Sequence, residues 1–172
     1  ALRYPRGNTC STEETEVPPI EMGKAHLLQD GTDIVLLAVG VMVEAAFETA
    51  KKLEKEGYSV AVVNARFVKP LDRDLILKLA SFCKLGVTME ENSIHGGFGS
   101  AVLELLNVSE NSTPTLSFGI PDRFIAQGSP EEQRRDAGLS AEHMLNNIHE
   151  RLKQIRIPVR KKSIKLTRKK AS

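Results

Sequence analysis

VTMEENSIHGGFGSAVLELL, residues 87–106, passes from a short apolar stretch through two acids and a glycine-rich turn into an amphipathic pattern. Residues 86–89 have the character of a buried strand, and Ala101, Val102, Leu105 and Leu106 recur at helical spacing. Between them Gly96, Gly97 and Gly99 are free to adopt φ > 0 or to let another backbone come close, and Phe98 stands inside the same turn. The order is strand, tight loop, helix. Such a turn presents the free N–H groups of a helix start to a phosphate, to a carboxylate, or to a neighbouring domain or subunit. Plain packing geometry between strand and helix produces the same glycines, so the turn alone does not choose among these.

The pattern continues outward in both directions. Upstream, residues 24–29 and 33–40 read as two strands, and Asp30-Gly31 between them predicts a hairpin. The second, ending IVLLAVG, is apolar throughout, as a central strand covered on both faces must be. Met42, Val43, Ala46, Phe47, Ala50 and Leu53 then form a helical stripe that Gly57 ends. Residues 60–63 predict another strand. Pro70-Leu71-Asp72 opens a helix with Leu75, Leu79 and Phe82 on one face. Downstream, residues 115–120 read as a strand, and Ser129-Pro130-Glu131-Glu132 supplies an N-cap, a proline at the first helical position and acids in the first turn. Ser140 starts a last helix through Met144, Leu145, Ile148, Leu152 and Ile155, with Leu139 able to staple back onto Met144. Alternation of strand and helix predicts an α/β fold: a mostly parallel, doubly wound sheet with helices on both faces.

At 172 residues the chain can bury one core. Residues 1–19 read as a linker, 20–156 as the folded domain and 157–172 as a basic tail. All 22 acids precede Arg151, whereas ten of the 24 lysines and arginines lie from that residue onward. The body therefore carries −8 and the last 22 residues +10. The tail lacks aromatics and period, so disorder is expected. A solvated or intramolecular tail is preferred over one that touches nucleic acid or an anionic membrane. Two cysteines, Cys10 and Cys83, without a CxxC pair argue against a disulfide framework or a zinc site and favour a reducing compartment. Cys83, in an apolar stretch, is expected to be a small buried hydrophobe. No stretch of 18 apolar residues exists and no signal peptide is visible. The opening ALRYPRG, without an initiator methionine, reads as the interior of something longer.

Ligands of open parallel sheets bind beyond the carboxyl ends of the strands, here Gly40-Val41, Asn64-Ala65-Arg66, Glu90-Glu91-Asn92 and Pro121-Asp122-Arg123. Neighbours on a strand point to opposite faces, so Glu90 and Glu91 are poorly placed to act as an acid and base pair; solvent or interface salt bridges are expected. His95 is expected to be a hydrogen-bonded loop residue. His26, His143 and His149 have no metal-ligand spacing. Arg66 and Arg123 are expected to pair with Asp72, Asp122 or the glutamates. The first strand-helix turn has Gly40 but no second glycine, which excludes a typical dinucleotide fold.

YPRGN at 4–8, ARFVKPLD at 65–72, GGFGSAVLELL at 96–106, IPDRFIAQGS at 120–129 and RRDAGLSAE at 134–142 stand together in one order. Over about residues 1 to 155 they closely resemble the C-terminal part of the 1-deoxy-D-xylulose-5-phosphate synthase family, within the transketolase-like, thiamine diphosphate-dependent enzymes. The resemblance implies condensation of pyruvate with glyceraldehyde 3-phosphate with loss of CO2, feeding isoprenoid, thiamine and pyridoxal synthesis. It also implies thiamine diphosphate and Mg2+ as cofactors of the full-length enzyme, small-molecule substrates, a homodimer, no membrane, and the cytoplasm or plastid stroma. The cofactor's ring is the electron sink and the protein orients it. The orienting groups are not here: no GDG with a downstream Asn stands in the chain, nor a pyrimidine-binding domain with its glutamate. The chain alone is therefore expected to hold no cofactor, metal or catalytic residue.

By the same resemblance residues 1–19 are the end of the preceding pyrimidine-binding domain and a linker, and Arg6 faces the phosphate of the aldehyde substrate, with Tyr4 and Asn8 weaker candidates beside it. A guanidinium suits that task because it offers phosphate two parallel donors. Residues 20–156 match the domain that supports the dimer. Glu90, Glu91, Gly96, Gly97, Phe98 and Gly99 then fall at or near a domain or subunit contact. Thr9-Cys10, Gln127 in place of a frequent histidine, and the basic tail depart from the family pattern. The alternatives are a non-catalytic assembly module and the C-terminal domain of another transketolase-like enzyme.

Overall fold

The computed structural model describes residues 19–157. Its elements run β1 (His26–Gln29), β2 (Ile34–Ala38), α1 (Met42–Lys55), β3 (Val60–Asn64), α2 (Arg73–Ala80), β4 (Leu85–Ser93), α3 (Phe98–Val108), β5 (Thr115–Ile120), α4 (Pro130–Asp136) and α5 (Ala141–Gln154). The strands form one sheet in the order β1-β3-β2-β4-β5. β2, β3, β4 and β5 are parallel, and β1 joins the edge antiparallel.

Central β2 is buried at every position, because its two sets of alternating side chains enter two different cores. Ile34, Leu36 and Ala38 face Met42, Ala46, Ala50 and Leu53 of α1 and Met144, Ile148 and Leu152 of α5. Val35 and Leu37 face Ile76 and Leu79 of α2 and Phe98, Val102 and Leu105 of α3. Each large aliphatic side chain taken fully from water in this way stabilises the fold by about 1.5–3 kcal/mol. The sheet is thus doubly wound, as the sequence predicts.

One predicted pairing is wrong. Asp30-Gly31 makes a turn, but β1 and β2 do not form a hairpin; β3 lies between them. The chain crosses the amino end of β3 so closely that a Cβ on Gly31 would fall on the Val60–Ala61 backbone. Asp33 and Ile34 donate their N–H groups to Ser59 O at 2.8 and 3.1 Å. Burial explains the choice: β3 is nearly as apolar as β2 and needs two neighbours, whereas β1 is only half-buried and suits an edge.

The helix starts follow their caps. Asp72 caps α2 by accepting from Leu75 N, and Ser129 with Glu132 forms a reciprocal capping box on α4. Those hydrogen bonds from Ser129 hold the Glu132 carboxyl below its ordinary pKa. Ser140 caps α5, and Leu139 is buried in one cluster with Met144. Phe82 departs from expectation: α2 ends at Ala80, Phe82 turns outward, and Cys83 takes the inner position. Its thiol donates to Gly31 O at 3.8 Å, and burial raises its pKa to about 11.

Candidate site at the carboxyl edge of the sheet

Parallel strands deliver their loops to one edge, so the segments after β2, β3, β4 and β5 converge there, joined by the start of antiparallel β1. The end of β4, the loop 94–97 and the α3 start lie over β5. Ile94 N donates to Ile120 O at 2.9 Å, and the loop backbone passes so near Gly119 that a Cβ there would stand 2.9 Å from Ile94 Cα. The loop is tied internally as well: Gly96 N donates to Ser100 Oγ at 3.0 Å, and Ser93 Oγ donates to His95 O at 3.2 Å.

The free N–H groups of α3 are answered from within the chain. Glu90, 1 % exposed, accepts from Phe98 N through Oε2 and from Gly99 N through Oε1, both at 2.8 Å. A carboxylate at a helix N-terminus satisfies orphan donors and opposes the positive end of the helix dipole. The surface or interface salt bridge expected of Glu90 is therefore corrected; it closes the turn from inside. Glu91 does make an ion pair, to Arg134 of α4 at 2.8 Å. The two carboxylates face different layers, so they share no chemistry.

The glycines divide by task. Gly96 has φ +72, which only glycine adopts without strain. Gly97 is the N-cap at φ −87, and a Cβ there would collide with Ser93 O and the Glu90 carboxylate. Gly99 lets α3 settle on the sheet: a Cβ would stand 2.7 Å from Thr88 Oγ1 and 2.9 Å from Ser117 Oγ. Phe98 and Gly99 are buried within the chain, while Gly96 and His95 lie at its surface. The turn is packing geometry whose anion is the chain's own glutamate.

The arginines find partners other than those expected. Arg123 grips Asp136 with two bonds, at 3.0 and 3.1 Å, which raise the arginine pKa and lower the aspartate's. Arg66 has φ +56, an uncommon conformation for a non-glycine residue. Its backbone N–H donates to Asn64 Oδ1 at 3.0 Å, and its guanidinium donates to His26 Nδ1 at 3.2 Å. No carboxylate among the described residues lies within ion-pair distance of it. The histidine partner escaped sequence reading because it sits 40 residues away on β1, whose pairing with β3 no local pattern shows.

Among the described residues no group of three His, Cys, Asp or Glu is placed to hold a metal ion. None of their helices is long and apolar enough to cross a membrane. Tyr4, Arg6, Asn8, Cys10 and the basic tail lie outside the described residues.

Residues 23–144 match the family described as Transketolase, C-terminal domain. The chain is 46% identical over 150 residues to the 1-deoxy-D-xylulose-5-phosphate synthase of Thermosynechococcus vestitus, covering 86% of this chain and 24% of that protein. It is 43% identical over 151 residues to the synthase of Chlorobaculum tepidum, covering 87% and 24%. It thus spans about a quarter of the length of these relatives. Among solved structures, a split-gene transketolase described as an inactive β4 tetramer is 35% identical with a TM-score of 0.70, covering 78% of this chain and 43% of that one. Transketolase from Campylobacter jejuni, at 21% identity and a TM-score of 0.53, covers 74% of this chain and 18% of its own and shares the fold.

Proposed function

Because the chain belongs to the transketolase C-terminal domain family, we propose that it serves as the supporting C-terminal region of a 1-deoxy-D-xylulose-5-phosphate synthase. In this reading the whole enzyme condenses pyruvate with glyceraldehyde 3-phosphate, with loss of CO2, as a homodimer using thiamine diphosphate and Mg2+. The product enters isoprenoid, thiamine and pyridoxal synthesis, in the cytoplasm or the plastid stroma. The cofactor supplies the electron sink, and the residues that orient it lie in other domains. The relatives named as synthases support the assignment. The inactive state of the split-gene transketolase tetramer supports a chain of this kind lacking catalysis by itself.

The observation that carries the scaffold role is Glu90. A diphosphate would need a helix N-terminus or a comparable set of donors. At the carboxyl edge of β4 those donors are spent on the chain's own carboxylate. The α3 start, with its donors filled, thus does not suit a diphosphate. Arg6 remains the proposed grip on the aldehyde's phosphate in the whole enzyme, with Tyr4 beside it, and Glu91 and Gly96 remain proposed contact residues. The test is an assay of this chain and of the whole enzyme with pyruvate, glyceraldehyde 3-phosphate, thiamine diphosphate and Mg2+. Product from the whole enzyme only is expected; product from the isolated chain contradicts the scaffold role.

A further inference from the structure

Eight large apolar side chains stand exposed among the described residues, and five of them lie at one edge of the sheet. Ile20 and Met22, 68 % and 80 % exposed, lie just before β1, on a segment held at the sheet's carboxyl edge by Ala25 N donating to Asp72 Oδ2 at 3.0 Å. Val41 follows β2, Val68 follows β3 and Phe124 follows β5, so these belong to the same edge. Phe124 is fully exposed, yet its loop is fixed on both sides: Arg123 grips Asp136, and Gln133 Nε2 donates to Ala126 O at 3.2 Å. A phenylalanine projected from a fixed loop spends little entropy on being covered. Among these side chains stands Arg66, a half-buried cation braced on His26 and lacking an acid among the described residues.

Across the sheet, from β1 to β5, this edge spans four strand spacings, about 19 Å. The position of residue 19 says what covers it: the chain enters the fold at this edge, so whatever precedes it is tethered there. About three-quarters of the length of the matched relatives lies outside the aligned segment.

We propose that the carboxyl edge docks the polypeptide preceding residue 19 in the whole enzyme, with Phe124 entering an apolar pocket and Arg66 receiving a carboxylate. This rests on the functional reading above and names the face through which the scaffold acts. Buried aromatics and arginines carry most of the energy of such contacts.

Hydrogen–deuterium exchange on this chain alone and on the whole enzyme tests it. Amides in segments 20–25, 66–69 and 122–126 should exchange about tenfold more slowly in the whole enzyme, while those of 103–110 should not change. Equal rates at the three segments, or slowing confined to 103–110, would overturn the proposal. Slowing that grows with concentration in the isolated chain would assign the edge to a second copy and overturn it too. Phe124→Ser and Arg66→Gln should each weaken binding of this chain to separately produced catalytic domains about tenfold, with its own unfolding midpoint unchanged. Weakening no greater than that of Leu103→Ser, an exposed α3 position outside the patch, would count against it. Synthase activity read on the same sample separates the two claims: activity with an unprotected edge sinks only the docking face, and protection without activity sinks only the assigned reaction.

Discussion

Replacing Glu90 with alanine should cost far more stability than replacing its neighbour Glu91. Glu90 accepts two backbone N–H groups, each at 2.8 Å, in a position shut off from water. Alanine leaves both donors buried without an acceptor, at about 1–3 kcal/mol each. The two together come to roughly 2–6 kcal/mol, and the vacated volume adds to that. A typical domain has about 5–15 kcal/mol in hand, so the variant should fold but melt roughly 4–24 °C lower. Glu90→Gln keeps one acceptor and turns an NH2 toward the other N–H, for about 1–3 kcal/mol. Glu91→Ala loses only a half-exposed ion pair to Arg134, about 0–1 kcal/mol. Urea unfolding followed by circular dichroism suits a chain without tryptophan. A Glu90→Ala cost below about 1 kcal/mol, or one matching Glu91→Ala, would refute the idea that this carboxylate closes the α3 start.

Gly99→Ala should destabilise by about 1–3 kcal/mol through overpacking, since its Cβ would crowd Thr88 Oγ1 at 2.7 Å; unfolding at or above the parental urea midpoint would show that α3 is free to lift. The Asp136 carboxyl, lowered by its two bonds to Arg123, should titrate below an ordinary aspartate in carbon-detected NMR, and Arg123→Gln should abolish that difference. The sign follows: this pair's contribution is present above the unfolded aspartate pKa of about 3.9 and fades as pH falls through the lower folded value. Cys83, raised to about 11, has the opposite slope, its contribution being full below about 9 and lost as pH rises through the folded value. In a Cys10→Ser background, its thiol should react with Ellman's reagent at the global unfolding rate; prompt reaction in the folded protein would contradict its burial.

Periodicity located most elements because it reports a local property. The stripe from Met42 to Leu53, the apolar run of β2 and the Ser129 capping box each lie within a few turns of chain. Pairing is another matter. Asp30-Gly31 announces a turn but not which strand stands beside β1, and that was settled by the need of β3 for two buried neighbours. The alternation rule rightly sends Glu90 and Glu91 to opposite faces, yet an acid in a strand reads as a surface group unless the helix start eight residues later is known to fold back over it. Arg123 likewise shows its charge but not that α4 would return Asp136 to it. Phe124 carries no helical or strand period to distinguish an exposed ring from a core one.

If these residues form a scaffold whose α3-start donors are already filled by Glu90, the cofactor belongs to other domains. Calorimetric titration of the isolated chain with thiamine diphosphate and Mg2+ at millimolar excess tests it most directly. The expected result is no saturable heat, with the α3 amides of Phe98 and Gly99 unmoved in the NMR spectrum. Stoichiometric binding that shifts those amides would contradict it.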